Sequence, residues 1–321
     1  MKTRNVRLGA LLSVCAGALA FGCAVPGVGL AQSASPIWAK LQPVVPYKSS
    51  EEQYAAYRAQ AKPATNPLPD WSGIWTRDAG GPPFNFDPAG GEETSLPGHA
   101  YGRVTAQITP QNKATLDKRM ADIRRGIEWD YLSYCLPAGF PRLLTEPFLR
   151  EFIVTPKETW WINEQQSEVR RIHTDGRGHV PEEEAFPLWE GDSIGFWDGD
   201  TLVVHTTHLK PGFYQRGQPD YSDKTSTVER VRKIDADTIE DLVTVYDPVG
   251  LVKPWTVLQH YVRVQNPKEP ELRIDMWSCE ENNNVVKDQT GATNFVLPGE
   301  EGYKDPSTRL KQPAADPTSG H

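Results

Sequence analysis

The chain has 321 residues, of which 38% are hydrophobic and 24% charged, and its formal net charge at pH 7 is −8. Only the N-terminus contains an uninterrupted apolar run, which excludes a bundle of transmembrane helices. The 10 Trp, 11 Tyr and 10 Phe are too many for a wholly disordered chain. No repeat period persists, which excludes collagen, a coiled coil and a repeat array.

The first 31 residues are typical of a secretory signal peptide. Three basic residues precede an apolar stretch at 8–20, and Gly29-Leu30-Ala31 forms a small-x-small cleavage site before Gln32. We therefore expect an exported protein, periplasmic or extracellular. Lipoprotein processing with lipid anchoring at Cys23 is one alternative, and an uncleaved membrane anchor is another.

Processing at this site would leave an acidic chain. It removes three basic residues and no acidic ones, so that 31 Lys and Arg face 42 Asp and Glu, a net charge of −11. A surface of this charge disfavours nucleic acid and anionic membranes as partners. We expect a small-molecule ligand or substrate, and no integral membrane span after processing. The oligomeric state is left open.

Cleavage would also leave only two cysteines, Cys135 and Cys279. In an oxidising compartment such a pair predicts one disulfide. The chain-entropy model assigns a loop of about 140 residues roughly 4–5 kcal/mol of stabilisation. The alternative is two free thiols, one of them nucleophilic.

Two helices are predicted before the main run of strands. Ser50 is expected to cap a short helix in an N-terminal arm at 32–64, with Gln53 completing a capping box. Thr109-Pro110 then starts an amphipathic helix at 110–127. One face of that helix is formed by Leu116, Met120, Ile123 and Ile127.

From residue 148 the hydrophobic period changes to two, which predicts strands. They are Phe148–Thr155, Thr159–Glu164, Glu168–Thr174, Ser193–Trp197, Thr201–Thr207, Thr225–Ile234, Thr238–Tyr246, Thr256–Gln265 and Leu272–Cys279. Short turns without intervening helices indicate an antiparallel meander, which closes into a barrel or splits into a sandwich. We expect a mainly β fold: a meander closed into a lipocalin-like β-barrel at 65–297, with the helix at 110–127, an extended N-terminal arm and a polar tail at 298–321.

Two resemblances accompany this pattern. Gly73-Ile74-Trp75 resembles the G-x-W signature of lipocalin-like (calycin) barrels, which implies that Gly permits close packing and that Trp plugs one end. The strings at 135–142, 170–177 and 189–204 resemble a large group of uncharacterised secreted bacterial proteins. So do Val228-Glu-Arg230, Asp247-Pro248 and Lys253-Pro-Trp255. The second resemblance implies export and a β fold, and it assigns no reaction.

The most suggestive polar row is Arg171, His173 and Asp175. Strand periodicity places these three side chains on one face. An imidazole, a carboxylate and a guanidinium in a row can bind an oxyanion and move a proton, with histidine titrating near neutral pH. The alternative is a solvated polar face, or an ion pair that locks the turn at Gly176.

His205 and Glu229 are second candidates. His205 would join His173 and Asp175 if their strands are neighbours, a set that a metal would prefer. No H-E-x-x-H or clustered-Cys motif supports a metal, and none is predicted. Glu229 and Arg230 lie on opposite faces of one strand, so one of them is expected to point inward if the barrel interior is polar. A buried Glu with an Arg partner from another strand is as often structural as catalytic.

Three tryptophans are expected to bind a flat or aromatic ligand in an apolar cavity: Trp197, Trp255 and Trp277. The alternative is that they fill an ordinary core. The chain contains no G-x-S-x-G, G-x-G-x-x-G or Walker motif, which disfavours an α/β-hydrolase and a nucleotide cofactor. No cofactor is predicted.

These observations favour a secreted, cofactor-free enzyme that uses acid/base chemistry on a small, partly hydrophobic molecule, as a lyase, isomerase or hydrolase. His173 would carry the proton, Asp175 would orient it, and Arg171 would stabilise an anion. The alternatives are a non-catalytic lipocalin-like carrier and an envelope structural protein whose interior is filled by tryptophan. The polar row favours the enzyme if it faces the barrel interior and the carrier if it faces solvent.

Overall fold

The computed structural model describes residues 47–78, 84, 86, 93–94, 103–104, 106–127, 130–265, 272–275, 277, 285–287, 289, 293–296 and 299–303. The predicted signal peptide, Cys23 and Cys279 lie outside these residues, as do much of the predicted arm and most of the tail. In the part of the chain that the structure describes, no helix is long and apolar enough to cross a membrane.

The described residues form two α-helices, α1 (Ser50–Ala59) and α2 (Pro110–Arg124). Short 3-10 helices lie at Tyr131–Tyr134, Arg142–Thr145 and Gln165–Ser167. The strands are β1 (Ile74–Arg77), β2 (Glu93–Thr94), β3 (Arg103–Val104), β4 (Arg150–Val154), β5 (Glu158–Asn163), β6 (Val169–His173), β7 (Asp192–Asp198), β8 (Thr201–Thr207), β9 (Gly212–Phe213), β10 (Asp220–Tyr221), β11 (Ser226–Lys233), β12 (Thr238–Tyr246), β13 (Trp255–Arg263), β14 (Val285–Lys287) and β15 (Thr293–Phe295).

Nine of the described strands form a closed barrel, in the order β1-β13-β12-β11-β8-β7-β6-β5-β4, and β4 pairs back to β1. The prediction of a mainly β fold with a closed barrel is confirmed. Eight of the nine predicted strands lie in the barrel wall within a few residues of their predicted bounds. The ninth, Leu272–Cys279, is wrong where it can be checked, because residues 272–275 are not in a strand. Its place in the wall is taken by β1.

One junction in the barrel is parallel. β6 and β7 pair in parallel through Ile172 with Ser193 and His173 with Ile194, whereas the other neighbouring barrel strands are antiparallel. A closed ring of nine strands requires this, because an odd number of strands cannot alternate in direction all the way round. The loop 174–191 must therefore return the chain from the end of β6 to the same end of the barrel at which β6 began.

Trp75 is buried in the barrel interior, and Arg263 covers its ring. The Trp75 ring is fully buried, its Nε1 donates to Trp71 O at 2.9 Å, and the Arg263 guanidinium stacks on the ring at 4.3 Å. Gly73 has φ 109°, and a Cβ at this position would collide with the Arg263 guanidinium. The close approach of Arg263 to the β1 backbone therefore requires glycine.

The barrel interior is packed with aromatic rings. Phe152 contacts Trp161 and Tyr261 at centroid distances of 5.1 and 5.5 Å. Trp197 packs on Trp71 at 5.4 Å. Such edge-to-face contacts are typical of a filled aromatic core rather than of the walls of an open chamber.

Both predicted helices exist, with corrections at their ends. The cap of α1 is Ser49, not Ser50: Ser49 Oγ accepts from Glu52 N at 3.3 Å. The predicted capping box is wrong, because Gln53 Nε2 donates to Tyr57 Oη at 3.1 Å instead of returning to the cap. Ser50 is thereby free of a capping role, and its hydroxyl contacts the barrel.

The helix α2 has the predicted cap and a more polar buried face than predicted. Thr109 Oγ1 accepts from Asn112 N at 3.3 Å, and the helix ends at Arg124 rather than at 127. Leu116 is buried as expected. Its buried neighbours on the helix are polar, and Asn112 Nδ2 donates to Asp220 O at 2.9 Å and Gly250 O at 3.0 Å.

Candidate functional site

The predicted polar row lies on the outer face of the barrel. Arg171, His173 and Asp175 share a face, as strand periodicity required, but Arg170 and Ile172 are the fully buried residues of β6. Arg171 is exposed and stacks on Trp160 at 4.3 Å. The row therefore faces away from the barrel interior, which counts against the catalytic role suggested for it and is the orientation expected of a carrier.

The other members of the row have separate partners. His173 Nδ1 lies 3.8 Å from Glu158 Oε2. Arg177 donates to Asp175 at 2.7 Å, and this hydrogen bond lowers the pKa of Asp175 to about 2. The arrangement matches the alternative of an ion pair at the turn, and the geometry gives no support to a convergent Arg171-His173-Asp175 site.

Of the two charged neighbours Glu229 and Arg230, Glu229 is the one that points inward, and its partner is Arg170 from another strand. Arg170 Nη1 donates to Glu229 Oε1 at 2.9 Å, and Arg170 Nη2 donates to Glu229 Oε2. Thr206 and Ser193 accept further bonds from the same guanidinium at 2.8 and 3.3 Å. Phe140 covers the guanidinium at 3.7 Å. Both side chains are fully buried and hydrogen-bonded within the barrel, so the pair has no exposed group that a substrate could contact.

The three candidate tryptophans do not share one cavity. Trp197 packs in the core, and Trp255 is 1% exposed, with centroid distances of 5.2 Å to Phe84 and 5.1 Å to Tyr214. Trp277 lies against Phe148 at 5.3 Å. The packing of Trp197 and Trp255 matches the alternative in which tryptophan fills the interior, whereas Trp277 is half-buried outside this core.

His205 belongs to a different site, on the outer wall of the barrel beneath α1. It is 3% exposed, and the Tyr54 ring of α1 stacks on it with the centroids 5.3 Å apart. The hypothesis that His205 meets His173 is wrong, because β7 lies between their strands. Ile194 pairs with both residues, which places them two strand spacings apart, about 10 Å.

His205 is instead the centre of a continuous hydrogen-bonded chain. Asp192 Oδ2 and His179 Nδ1 are 2.8 Å apart, His179 Nε2 and His205 Nδ1 are 2.8 Å apart, and His205 Nε2 and Ser50 Oγ are 2.9 Å apart. Ser50 Oγ lies a further 2.7 Å from Ser226 Oγ. We call Asp192, His179, His205 and Ser50 the relay.

One assignment of tautomers gives every bond of the relay the same direction. An ionised carboxylate only accepts, so His179 donates from Nδ1 to Asp192. If His179 carries no proton on Nε2, that nitrogen accepts from Nδ1 of His205. His205 then accepts at Nε2 from the hydroxyl of Ser50. In this assignment the Ser50 hydroxyl is connected through two imidazoles to a carboxylate.

Protonation of the relay is controlled by burial and by its own hydrogen bonds. Burial lowers the pKa of His205 to about 4, and the neighbouring His179 contributes to the same shift. Burial opposes ionisation of Asp192, but hydrogen bonds from His179 and from Val180 N–H outweigh it and lower the pKa of that carboxyl. At neutral pH His205 is an unprotonated base and Asp192 a carboxylate.

Local backbone features place these groups. Gly191 has φ 65°, and a Cβ there would lie 2.7 Å from Thr207 O, so glycine lets the chain enter β7 close against β8. Asp192 follows as the first residue of β7. The return loop 174–191 carries His179 over His205. Ser50 is the first residue of α1. Further along the helix, the Tyr57 ring packs on the Arg230 guanidinium, 5.0 Å from the ring centroid, and holds α1 on the barrel.

A cavity of about 380 Å³ opens at the N-terminus of α1, and Ser50 and Ser226 are part of its wall. Its walls include apolar side chains such as Leu251 and Pro254, together with lysines such as Lys224. The volume falls within the range of about 300–1,000 Å³ that is typical of small-molecule sites. The relay therefore ends at a space large enough for a small substrate.

A second cavity, of about 350 Å³, lies between α2 and the β9–β10 hairpin. Its wall combines Tyr131, Phe213 and Tyr221 with Arg119, whose guanidinium lies 4.8 Å over the Phe213 ring. Arg119 donates to Gln218 O at 2.8 Å and to Asp220. These contacts tie the hairpin to the helix, which gives the cavity a structural framework.

Sequence reasoning missed three of the four relay residues. Ser50 is interpreted from sequence as a helix cap, and His179 and Asp192 lie outside the periodic part of the chain or at its edge. Among the described residues, no group of three or more His, Cys, Asp and Glu side chains is arranged to hold a metal ion. Cys135 is disulfide-bonded, and because Cys279 lies outside the described residues their pairing stays a prediction.

The comparisons with known proteins add no assignment. No protein-family model matches the chain, and no curated protein matches it either.

Proposed function

We propose that this chain is an exported, cofactor-free enzyme that uses acid/base chemistry on a small, partly hydrophobic molecule, and that the relay is its proton-transfer device. The observation that carries the proposal is the unbroken chain of hydrogen bonds from Asp192 to Ser50, which ends at the cavity wall. His205 takes the role that the sequence suggested for His173.

The properties of the relay suit proton transfer. His205 is neutral over most of the pH range and so can accept a proton, but a pKa of about 4 makes it by itself a weaker base than an ordinary histidine. Charge on its buried ring is unfavourable, and the proton leaving Nδ1 moves that charge to His179. There the carboxylate of Asp192, 2.8 Å from Nδ1, stabilises it. The positive end of the α1 dipole favours negative charge developing near Ser50.

The carrier and structural alternatives receive less support. A lipocalin-like carrier holds its ligand in the barrel interior, where Phe152, Trp161 and Tyr261 are in mutual contact. A purely structural protein accounts for that packing. It accounts for the relay only as a set of hydrogen bonds that docks α1 on the barrel, and gives no reason for the relay to end at a cavity.

Turnover of probe molecules tests the proposal. The mature protein is assayed with 5-nitrobenzisoxazole, whose ring opens on removal of one proton, and with p-nitrophenyl esters. We expect catalysis of at least one probe, lowered about 100-fold or more in His205→Asn, the usual contribution of a general base. His173→Asn, on the same outer face, is the matched control and should keep the wild-type rate.

Two outcomes would reject the proposal. One is a rate that depends on His173 and not on His205, which would restore the polar row as the site. The other is the absence of any catalysed rate while circular dichroism and thermal melting show that all three proteins are folded.

A further inference from the structure

We infer that Ser50 is a nucleophile that forms a covalent acyl-enzyme with small carboxylic esters. This inference rests on the proposed function and selects the hydrolase among its reaction classes. It follows from which atom stands at the cavity end of the relay. A relay that served only to move protons could end on any exchangeable group, but this one ends on a hydroxyl whose oxygen becomes nucleophilic when its proton is withdrawn.

The contacts of Ser50 match those of an activated serine. Its Oγ lies 2.9 Å from His205 Nε2, which is hydrogen-bond distance for a nucleophile and its base. His205 is oriented in turn by His179, and His179 by Asp192. Ser226 Oγ, 2.7 Å from Ser50 Oγ, is placed to donate to the oxygen as negative charge grows on it.

Burial strengthens this arrangement. Ser50 is 1% exposed and is one of the residues that form the wall of the cavity. Electrostatic stabilisation of the reacting groups is stronger around a buried side chain than in bulk water. The apolar part of the wall, which includes Pro248 and Leu251, suits a short apolar acyl chain.

Acylation forms a bond between Ser50 Oγ and the ester carbonyl carbon and breaks the bond from that carbon to the alcohol. Ser50 Oγ attacks the carbonyl carbon of the ester, and a bond forms between them while the hydroxyl proton passes to His205 Nε2. His205 passes its Nδ1 proton to His179 Nε2, and the resulting imidazolium pairs with Asp192. When the tetrahedral species collapses, the carbon–oxygen bond to the alcohol breaks, and the alcohol leaves with the proton of His205 Nε2 as the second proton returns from His179.

Deacylation repeats these transfers with water. A water molecule attacks the acyl carbon and gives a proton to His205 Nε2. The bond from the acyl carbon to Ser50 Oγ then breaks, the carboxylic acid is released, and Ser50 recovers its proton. No oxidant, reductant or metal enters either step.

Labelling of the mature protein tests the inference. An ethoxy fluorophosphonate forms a stable phosphorus–oxygen bond with an activated serine and loses fluoride. We expect one adduct per chain, located on Ser50 by peptide mapping, which separates it from Ser49 and Ser226. Ser50→Ala should take up no label, His205→Asn should be labelled about 100-fold or more slowly, and His173→Asn should match the wild type.

A second measurement tests Ser50 as the nucleophile without the fluorophosphonate. Brief exposure to p-nitrophenyl acetate followed by acid quenching should trap an acetyl group on Ser50, with a burst of one p-nitrophenol per chain. Because the Ser50→Ala protein can be checked for folding by its melting temperature, loss of label is separable from loss of structure.

The results distinguish failure of the inference from failure of the proposed function. Catalysed opening of 5-nitrobenzisoxazole that depends on His205, with no adduct on Ser50, would overturn the nucleophile and leave the acid/base enzyme. An adduct on another serine would do the same. Neither reaction in a folded protein would overturn both, and the hydrogen bonds of the relay would then serve to dock α1 on the barrel.

Discussion

Ser50 Oγ and His205 Nε2 lie 2.9 Å apart although 155 residues separate them in the chain. The bond exists only when α1 is docked on the finished barrel, because β8 supplies His205 and the N-terminal arm supplies Ser50. The proton path is thus a property of tertiary structure, and undocking of α1 disconnects the hydroxyl from its base.

The low pKa of His205 predicts acid-dependent stability. Its ordinary pKa is 6.5, and burial in the folded protein lowers it to about 4. Between these values the unfolded chain binds more protons, so the stabilisation is fully present above pH 6.5 and is lost as pH falls toward 4. At about 1.36 kcal/mol per pKa unit the loss amounts to about 3 kcal/mol.

The test compares urea unfolding of wild type and His205→Asn from about pH 7.5 to pH 4, a range that spans both pKa values. Groups common to both proteins cancel in the difference. One of them is Glu168, whose pKa burial raises to about 7 and whose effect over this range has the opposite sign. We expect the difference between the two unfolding free energies to change with pH. Parallel curves would contradict the buried, neutral His205.

The Arg170–Glu229 pair predicts a large penalty for breaking it. Glu229→Gln leaves a fully buried guanidinium without its counter-charge and should lower the free energy of unfolding by about 3–5 kcal/mol. The double variant Arg170→Met, Glu229→Leu should recover much of this loss, since it removes both charges. Chemical denaturation measures all three proteins.

Arg230, the residue after Glu229, provides the control for the Arg170–Glu229 pair. Arg230 points outward to Asp198, 3.1 Å away, and packs on the Tyr57 ring at 5.0 Å, so Arg230→Ala should cost about 1–2 kcal/mol, less than Glu229→Gln. Equal losses for Glu229→Gln and Arg230→Ala would show that the interior pair is not a buried charge pair.

Gly73 predicts a cost beyond backbone strain. Alanine at Gly73 would displace the Arg263 guanidinium from its stack on Trp75 and from Ser72 O, to which Nη1 donates at 2.7 Å. Gly176 is the matched control, since it has φ 89° but no atom within 4 Å of the place that a Cβ would occupy. Gly176→Ala should lose roughly 1–2 kcal/mol, and Gly73→Ala about 1–2 kcal/mol more.

The melting temperatures of the two glycine variants measure this difference in stability. A Gly73→Ala protein no less stable than Gly176→Ala would show that Arg263 moves aside without cost.

The disulfide prediction is tested by mass spectrometry. Cys135 is disulfide-bonded, and we expect its partner to be Cys279, so a non-reducing digest should contain one peptide pair joined through these residues. Reduction should lower stability by up to roughly 4–5 kcal/mol. Two free thiols, or a Cys135 peptide joined to a different partner, would contradict the pairing.

The barrel was predictable from sequence because its signals are local. A period of two correctly placed Arg171 and His173 on one face of β6 and Arg170 and Ile172 on the other, and short turns marked the strand ends. Periodicity does not say which of two faces is inside. On β6 the catalytic hypothesis placed the polar row of Arg171, His173 and Asp175 in the interior because of its chemistry. The side chain that points into the interior is instead Arg170, which is paired with Glu229.

The relay could not be predicted in the same way. Its members come from a helix start, a non-repetitive loop and two strands, and no spacing rule connects them. The local sequence does little to distinguish Ser49 from Ser50 as the cap of α1. The hydroxyl of Ser50 is hydrogen-bonded to His205 and Ser226 on the barrel, which leaves Ser49 as the cap. Sequence identified His205 as a candidate because it is a histidine in a strand, but gave it the wrong neighbours.

The parallel junction between β6 and β7 has a consequence for how such a protein can change. A barrel with an even number of strands can join every pair by a tight hairpin, and its wall then carries no long connection that is required by geometry. The ninth strand obliges this chain to keep the return segment 174–191, whose length is free to vary as long as its two ends stay fixed. Insertions there would alter what covers His205 and leave the wall intact, which makes chemistry on the outer surface adjustable independently of closure.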